Sequence, residues 1–513
     1  MMQTLASPPS TPLVRAEDGA VPPAEPRGFF GHPRGLSTLF FTEMWERFSF
    51  YGMKALLILF MTATAAQGGL GFDTNKASAI YGLYTAAVYL TALPGGWLAD
   101  RFIGQRRAVL VGGIIIALGH FSMALPGVSF FYLGLLLIVT GTGLLKPNIS
   151  AMVGGLYAPG DARRDAGFSI FYMGINIGVS VAPLVLGYLG ENVNWHAGFG
   201  LAGVGMVLGL IQYVAGAKHL GSVGLPSRPG VEDATSERTG SRGVALAMGA
   251  ALVVLMGGLQ ALGVVDVTNA VGLANAVLVI IVALSLAVFG YMFTAGGLDD
   301  SEKKRLGVIG VFFLGSFIFW AGFEQAGSSL NLFARSLTDR EVFGWTMPAS
   351  FLQAVNGMFI ITLAPVFAWL WVRLNRRGLE PSSPAKFALG LMMLGAGFLV
   401  MVAASHAAAS GQKVSPLWLV LTYLLHTFGE LCLSPVGLST VTKLAPQRAV
   451  GQMMGVWFMS MALGNLIAGR VAGQFESMPL PQLFGQVAAV TLFAGGVLIA
   501  AVGPLRRMMG GVR

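Results

Sequence analysis

The sequence predicts an all-α integral membrane protein: fourteen transmembrane helices, arranged as two six-helix halves with two extra helices between them. Three observations predict it. First, only 11% of the 513 residues are charged while 55% are hydrophobic, at a mean hydropathy of +0.71. Soluble domains carry about a quarter charged residues, so too little polar surface is left here to cover a water-soluble body. Second, fourteen stretches reach the roughly 20 mostly apolar residues that a bilayer span requires. Third, the basic residues between those stretches collect on one side. The 71 glycines suit close helix packing in lipid.

The expected spans are 37–62, 76–99, 107–125, 130–156, 166–188, 197–216, 243–263, 271–294, 306–335, 345–374, 384–407, 415–443, 450–473 and 484–505. On this map 24 of the 32 Lys and Arg lie on one side, among them Arg101, Arg106, Arg107, Lys303, Lys304 and Arg305. The opposite side receives Lys76, Arg335, Arg340 and Lys413, and Arg47, Lys54, Lys146 and Arg470 fall within spans. The positive-inside rule then places both termini in the cytoplasm of a multi-pass protein of the cell (inner) membrane. The expected organisation is a disordered cytoplasmic tail (1–36), a six-helix bundle (37–216), a linker with two additional spans (217–305), a second six-helix bundle (306–505) and a short tail (506–513). The first 28 residues are Pro-rich and polar without an apolar run, which argues against a cleaved signal peptide. Two six-helix halves are what a major-facilitator architecture requires, with a substrate site between them near the midplane. The extra pair carries a single acid, Asp266, in its connecting turn and reads as a structural appendage.

Other classes fit poorly. The net charge of +9 lies between spans, where it sets orientation rather than forming a nucleic-acid surface. One cysteine, Cys432, rules out an intrachain disulfide and a multi-cysteine metal site, and an apolar neighbourhood makes it a packing residue. The six histidines are scattered, and neither HExxH nor GxSxG occurs, so neither an enzyme nor a metal or other cofactor is expected.

The informative residues are the charges inside spans, each costing about 2.5–3.5 kcal/mol at the bilayer centre on insertion scales. In the first span Glu43, Glu46, Arg47, Phe50, Tyr51 and Lys54 fall along one helical face. Glu43 and Arg47 can meet as an i,i+4 pair, whereas adjacent Glu46 and Arg47 are expected to splay apart, which makes Lys146 of the fourth span a candidate partner for Glu46. The second half offers Glu324 and Glu430, the latter followed by Ser434-Pro435, where the proline is expected to break the local ladder. A cavity between the halves would thus have a cationic and an anionic wall, suited to a short zwitterion with separated ends.

These residues also resemble a known family. Glu43-Met44-Trp45-Glu46-Arg47-Phe48-Ser49-Phe50-Tyr51-Gly52 resembles the first-helix signature ExxERFxYYG of the proton-dependent oligopeptide transporters, a major-facilitator family. Phe171-Tyr172-Met173-Gly174-Ile175-Asn176-Ile177-Gly178 resembles their FYxxINxG signature. Asp100-Arg101 with Gly104 and Arg106, Lys146-Pro147-Asn148, Phe323-Glu324-Gln325, the run from Gly429 to Gly437, and Met454 to Phe458 extend the match across both halves.

The resemblance implies a proton-coupled symporter for di- and tripeptides, with protons as coupling ion and no other cofactor. It implies that Arg47 and Lys146 meet the peptide carboxylate, with Tyr51 and Tyr89 nearby. Glu430, Asn176 and Asn356 would hold the amino end and backbone amide, in the region that includes Ser434, and Trp457 would line a side-chain pocket. Glu43, Glu46, Arg47, Lys146 and Glu324 would take part in proton coupling, and Asp100, Arg101 and Arg106 would form a cytoplasmic gating clamp. An interhelical hydrogen bond at Asn176 and ordinary packing at Tyr89 and Trp457 are the competing readings. Lys54 with Asp339 is a candidate latch on the opposite face. Three departures stand out: Phe50 replaces a family tyrosine, Gly357 follows Asn356 where proline is usual, and the second span has no histidine. A carrier of nitrate or another small anionic metabolite is the alternative, although a small anion needs no anionic wall.

Overall fold

A computed structural model describes residues 28–510 apart from 159, 226–256, 259, 264–265, 267–268 and 447–448. The expected tail up to residue 27 and most of the expected span 243–263 lie outside the described residues. The first six helices are α1 (Gly35–Thr62), α2 (Thr74–Leu98), α3 (Gln105–Met123), α4 (Val128–Gly155), α5 (Arg164–Asn192) and α6 (Trp195–Gly216). One of the two additional helices follows as α7 (Ala270–Thr294). The remainder is α8 (Asp300–Phe323), α9 (Ser329–Ser336), α10 (Ala354–Arg376), α11 (Ser383–Ala408), α12 (Leu417–Leu444), α13 (Val450–Ala472) and α14 (Leu480–Met508). A two-strand hairpin, β1 (Glu341–Val342) and β2 (Trp345–Thr346), pairs Glu341 with Thr346 and Val342 with Trp345.

Helix starts are set by polar caps that hydropathy does not register. Asp73 accepts from Lys76 N at the start of α2, Asn194 from His196 N and Ala197 N at α6, and Asn269 from Gly272 N at α7. Asp299 and Glu302 form a reciprocal capping box at α8, six residues before the expected span begins. The span expected at 306–335 is one membrane-crossing stretch, Asp300–Ser336, built of two helices, α8 and α9, joined by a tighter turn at Glu324–Gly327. Pro435 has no N–H to give to the ladder, yet α12 runs through it from Leu417 to Leu444 because its neighbours keep the helix in register.

The face where α1 begins and α14 ends is the near face, and the one opposite is the far face. Among the described residues, eleven helical stretches are long and apolar enough to cross a membrane. α1 falls short of that measure because Glu43, Glu46, Arg47 and Lys54 sit inside it. In the first half α1 packs along α5 and α6, and α3 along α4. In the second half α11 packs along α12 and α14, and α13 along α8. The halves meet along two seams, α2 against α13 and α5 against α10, and α7 lies against both α2 and α13.

Small residues make those seams possible. A Cβ on Gly82 of α2 would lie 3.0 Å from the Asn465 carbonyl oxygen and 3.2 Å from Gly469 Cα of α13. At the other seam a Cβ on Gly357 would lie 2.5 Å from Ser180 Oγ, which gives the glycine after Asn356 a packing reason. Gly82→Leu is expected to cost about 1–3 kcal/mol through overpacking. Thermal unfolding of the detergent-purified protein checks this, with Gly451→Leu, a position with open space around it, as the variant expected to be neutral.

Candidate functional site

The charged face of α1 is buried as a unit: Glu43, Glu46, Arg47 and Lys54 are 2%, 0%, 3% and 8% exposed. Arg47 Nε lies 3.2 Å from Glu43 Oε1, the expected i,i+4 pair. It also donates to Glu46 Oε2, so the expected splaying of these neighbours is corrected. The long guanidinium folds back along its own helix, where one N–H edge reaches both acids. Its plane passes over Phe50 and Tyr51, at 5.2 and 5.9 Å from the ring centroids. Phe50 in turn stacks on Tyr84. The cluster is not saturated, since Arg47 Nη2, Glu43 Oε2 and Glu46 Oε1 are buried and make no hydrogen bond among the described residues.

Lys146 is not within ion-pair distance of Glu46, as the sequence suggested; its Nζ stands 4.7 Å over the ring of Tyr89, and Glu46 is occupied by Arg47. Pro147 follows Lys146 within the continuous α4. Lys146, Tyr51 and Tyr89 are half-buried, so this wall keeps access to solvent.

On the facing wall, Asn356 of α10 donates to Thr427 Oγ1 at 3.0 Å and to Glu430 Oε2 at 3.3 Å, both on α12. Glu430 and Ser434, one helical turn apart, are half-buried. Asn176 is 4% exposed and donates to the Tyr172 carbonyl of its own helix at 2.9 Å. Trp457 is 5% exposed, with its ring 6.2 Å from that of Phe387 and its edge against Gly437.

One ion pair ties the walls together. Lys54 Nζ donates to Glu324 Oε2 at 2.6 Å, with both side chains buried. This replaces the suggested Lys54–Asp339 pair: the break after α8 brings Glu324 to the level of Lys54, while Asp339 Oδ1 accepts from Glu341 N at the hairpin. Around it the far face is sealed by hydrogen bonds between the halves. Asn331 donates to the Ala55 carbonyl at 2.9 Å and Arg335 to the Leu59 carbonyl at 2.8 Å. Thr74 donates to Glu476 at 2.6 Å. Glu191, at the end of α5, accepts from the backbone N–H groups of Ala349 and Ser350, both at 2.9 Å.

Sequence reasoning missed these sealing residues. Glu191 had a signal, because an acid in the last turn of a helix is unfavourable to its dipole and needs a donor elsewhere. On the near face, Asp100 and Arg101 are exposed in a wider helical turn at Ala99–Ile103. Arg106 donates to the Val223 carbonyl at 2.6 Å and also to that of Gly221, so it holds the segment after α6.

Removing one partner of a buried ion pair leaves a lone charge and costs about 3–5 kcal/mol, whereas apolar replacement of both is often nearly neutral. Lys54→Met and Glu324→Met are each expected to lower the unfolding temperature, and the double variant to regain most of the loss. Additive losses in the double variant would show that the two residues are not coupled.

The comparisons with known proteins agree with this architecture. The family model described as PTR2, POT family, matches residues 106–487. The chain is 47% identical over 497 residues to the peptide transporter YePEPT of Yersinia enterocolitica subsp. palearctica, covering 94% of this chain and 96% of that protein. It is 39% identical over 494 residues to a di-/tripeptide transporter of Lactococcus lactis subsp. cremoris, covering 94% and 98%. A crystal structure of a peptide transporter POT in complex with sulfate matches with a TM-score of 0.87 at 42% identity, over 94% of this chain and 97% of that one. A major-facilitator fold, the first-helix signature and full-length likeness to these proteins together show that this chain belongs to the POT family of membrane transporters.

Proposed function

We propose that this protein is a proton-coupled symporter that imports di- and tripeptides by alternating access. The observation that carries the reading is the pair of facing walls: Arg47 and Lys146 with Tyr51 and Tyr89 on one side, Glu430 with Asn356 on the other. A dipeptide has a carboxylate for the first wall and an ammonium for the second, and fixing both ends selects a short length. The names of the relatives, a peptide transporter and a di-/tripeptide transporter, support the same substrate class. Asn176, Ser434 and Trp457 complete the proposed binding set. The near face is assigned to the cytoplasm of the cell membrane, with both termini there, and Asp100, Arg101 and Arg106 to near-face gating.

The conformation has a sealed far face and half-exposed Glu430, Lys146 and Tyr51, so it corresponds to a state with access from the cytoplasm. Coupling follows from the charges. Protonation of Glu324 leaves Lys54 without its counter-charge and weakens the far-face seal, which favours opening to the outside. A peptide carboxylate arriving at Arg47 and Lys146 competes with Glu43 and Glu46 for the same cations and favours their protonation. Glu324 takes its proton from the outside while the far face is open and releases it to the cytoplasm once the near face is open, and that release re-forms Lys54–Glu324 and locks the far face, so the gradient drives the cycle inward.

In proteoliposomes, an inward proton gradient is expected to drive accumulation of a labelled dipeptide, which unlabelled di- and tripeptides compete away. Glu430→Gln is expected to lose at least most of that uptake. A folded, oriented protein that takes up no peptide would move nitrate or another small anion to the front. Proton flux accompanying peptide entry is expected to fall in Glu43→Gln and Glu324→Gln, and unchanged coupling in both would remove these residues from the mechanism.

A further inference from the structure

Tyr81, on α2 of the first half, stands beside the ion pair that links the halves, and the cycle set out above gives it no part. It is 1% exposed, and its hydroxyl is buried without a hydrogen bond among the described residues. The charges that hydroxyl meets are those of Lys54 and Glu324. Lys54 Nζ lies 5.9 Å from the centre of the Tyr81 ring and 5.6 Å from that of Tyr51. From the other half, Gly327 ends the turn that carries Glu324, and a Cβ on it would take the place of the Tyr81 hydroxyl. The phenol therefore fills the corner where Lys54, Glu324 and that turn meet. The other titratable groups around it are Tyr51 of α1, Tyr84 of its own helix and Tyr423 of α12, phenols that are neutral at neutral pH.

A phenylalanine of the same shape would bury no polar atom, so the hydroxyl is a cost to the state with the far face sealed. Its use lies in the state in which Glu324 carries a proton. A buried ammonium has three N–H donors and needs acceptors, and in the sealed state Glu324 Oε2 is one, at 2.6 Å. Once that carboxylate binds a proton its charge is gone. The acceptor left next to Lys54 is the Tyr81 oxygen, whose lone pairs the sealed state leaves unused. Because α1 and α2 belong to one half, Tyr81 also stays with Lys54 when the turn bearing Glu324 moves away with the other.

We propose that Tyr81 is a positioning residue of the coupling step: its hydroxyl accepts a hydrogen bond from Lys54 while Glu324 is protonated, and keeps the ammonium in place to recapture the carboxylate when the proton leaves. This rests on the reading of Lys54–Glu324 as the proton-responsive latch. Only the O–H bond of Glu324 forms and breaks, its proton taken from water outside and released to water in the cytoplasm.

The full-length protein is reconstituted in proteoliposomes, and uptake of labelled dialanine and the accompanying proton flux are measured against outside pH. Wild type is compared with Tyr81→Phe, Glu324→Gln and Tyr291→Phe, the last an exposed tyrosine of α7 that controls for loss of a phenol. Tyr81→Phe is expected to keep or slightly raise the unfolding temperature, since it removes an unpaired buried hydroxyl. Its gradient-driven accumulation is expected to fall several-fold, with half-maximal uptake at a more acidic outside pH, because the protonated state has lost a hydrogen bond. Exchange of dialanine at equal concentration and acidic pH on both sides, where Glu324 keeps its proton throughout, is expected to fall much less. Tyr291→Phe is expected to match wild type. A wild-type pH profile in Tyr81→Phe, with proton flux lost in Glu324→Gln, would overturn the proposal and leave the latch standing. Proton flux unchanged in Glu324→Gln would remove both. A lowered unfolding temperature in Tyr81→Phe, with equal losses of driven uptake and exchange, would assign the residue to packing alone and overturn the proposal as well.

Discussion

The buried contact between Lys54 of the first half and Glu324 of the second determines how the remaining polar groups are arranged. A charge at the bilayer centre is costly unless it finds an opposite charge, and Lys54 finds its partner only across the interface. Glu324 is in a comparable position. It caps the C-terminal end of α8, where a carboxylate meets the negative end of the helix dipole. One ammonium group therefore answers both the acid and the helix end. Having brought the halves together at that level, the pair places Asn331 and Arg335 against the carbonyls of the last turns of α1, and the far face closes over them.

The cluster around Arg47 is built differently. Two acids share one edge of its guanidinium within a single helix, so this group does not hold the halves together. Among the described residues it also leaves Arg47 Nη2 and one oxygen of each acid without a bond. A buried polar group lacking a partner is unfavourable by about 1–3 kcal/mol, and an incoming carboxylate can relieve that at Arg47 Nη2, the donor of the three. Lys54–Glu324 is a closed pair that must break for the far face to open, and Arg47 is an open set that can take in a further anion. In the proposed cycle, the first responds to the proton and the second to the peptide.

Much of this was legible in the sequence because the bilayer makes charge conspicuous. Glu43, Arg47, Lys54, Glu324 and Glu430 stand out in apolar spans, and the stretches of about 20 apolar residues mark the helices. The pairing was less legible. Hydropathy does not reveal that α8 ends at Phe323 and that the following turn carries Glu324 to Lys54, so Asp339 was the apparent partner. Nor does residue spacing reveal that Arg47 folds back onto its immediate neighbour Glu46. The far-face seal was hidden for a different reason: Asn331, Arg335 and Glu191 act on backbone groups of the other half, and a backbone acceptor has no sequence signature. Only the misplaced charge of Glu191 at a helix end gave a clue.

The seams and the seal divide the mechanical work. At α2–α13 and α5–α10 the halves touch through Gly82 with Gly469 and through Gly357 with Ser180, contacts that depend on the absence of bulk and have little directional preference. Such surfaces can roll over one another at small cost, as close-packed small residues do between membrane helices. The far-face bonds are directional and buried, so they are either made or broken. A rocking motion of one half against the other, as expected for this architecture, thus has a smooth bearing and a discrete latch. Because the latch contains the one buried ion pair found between the halves among the described residues, the proposed cycle needs only a single proton added or removed there to change which side the bearing favours.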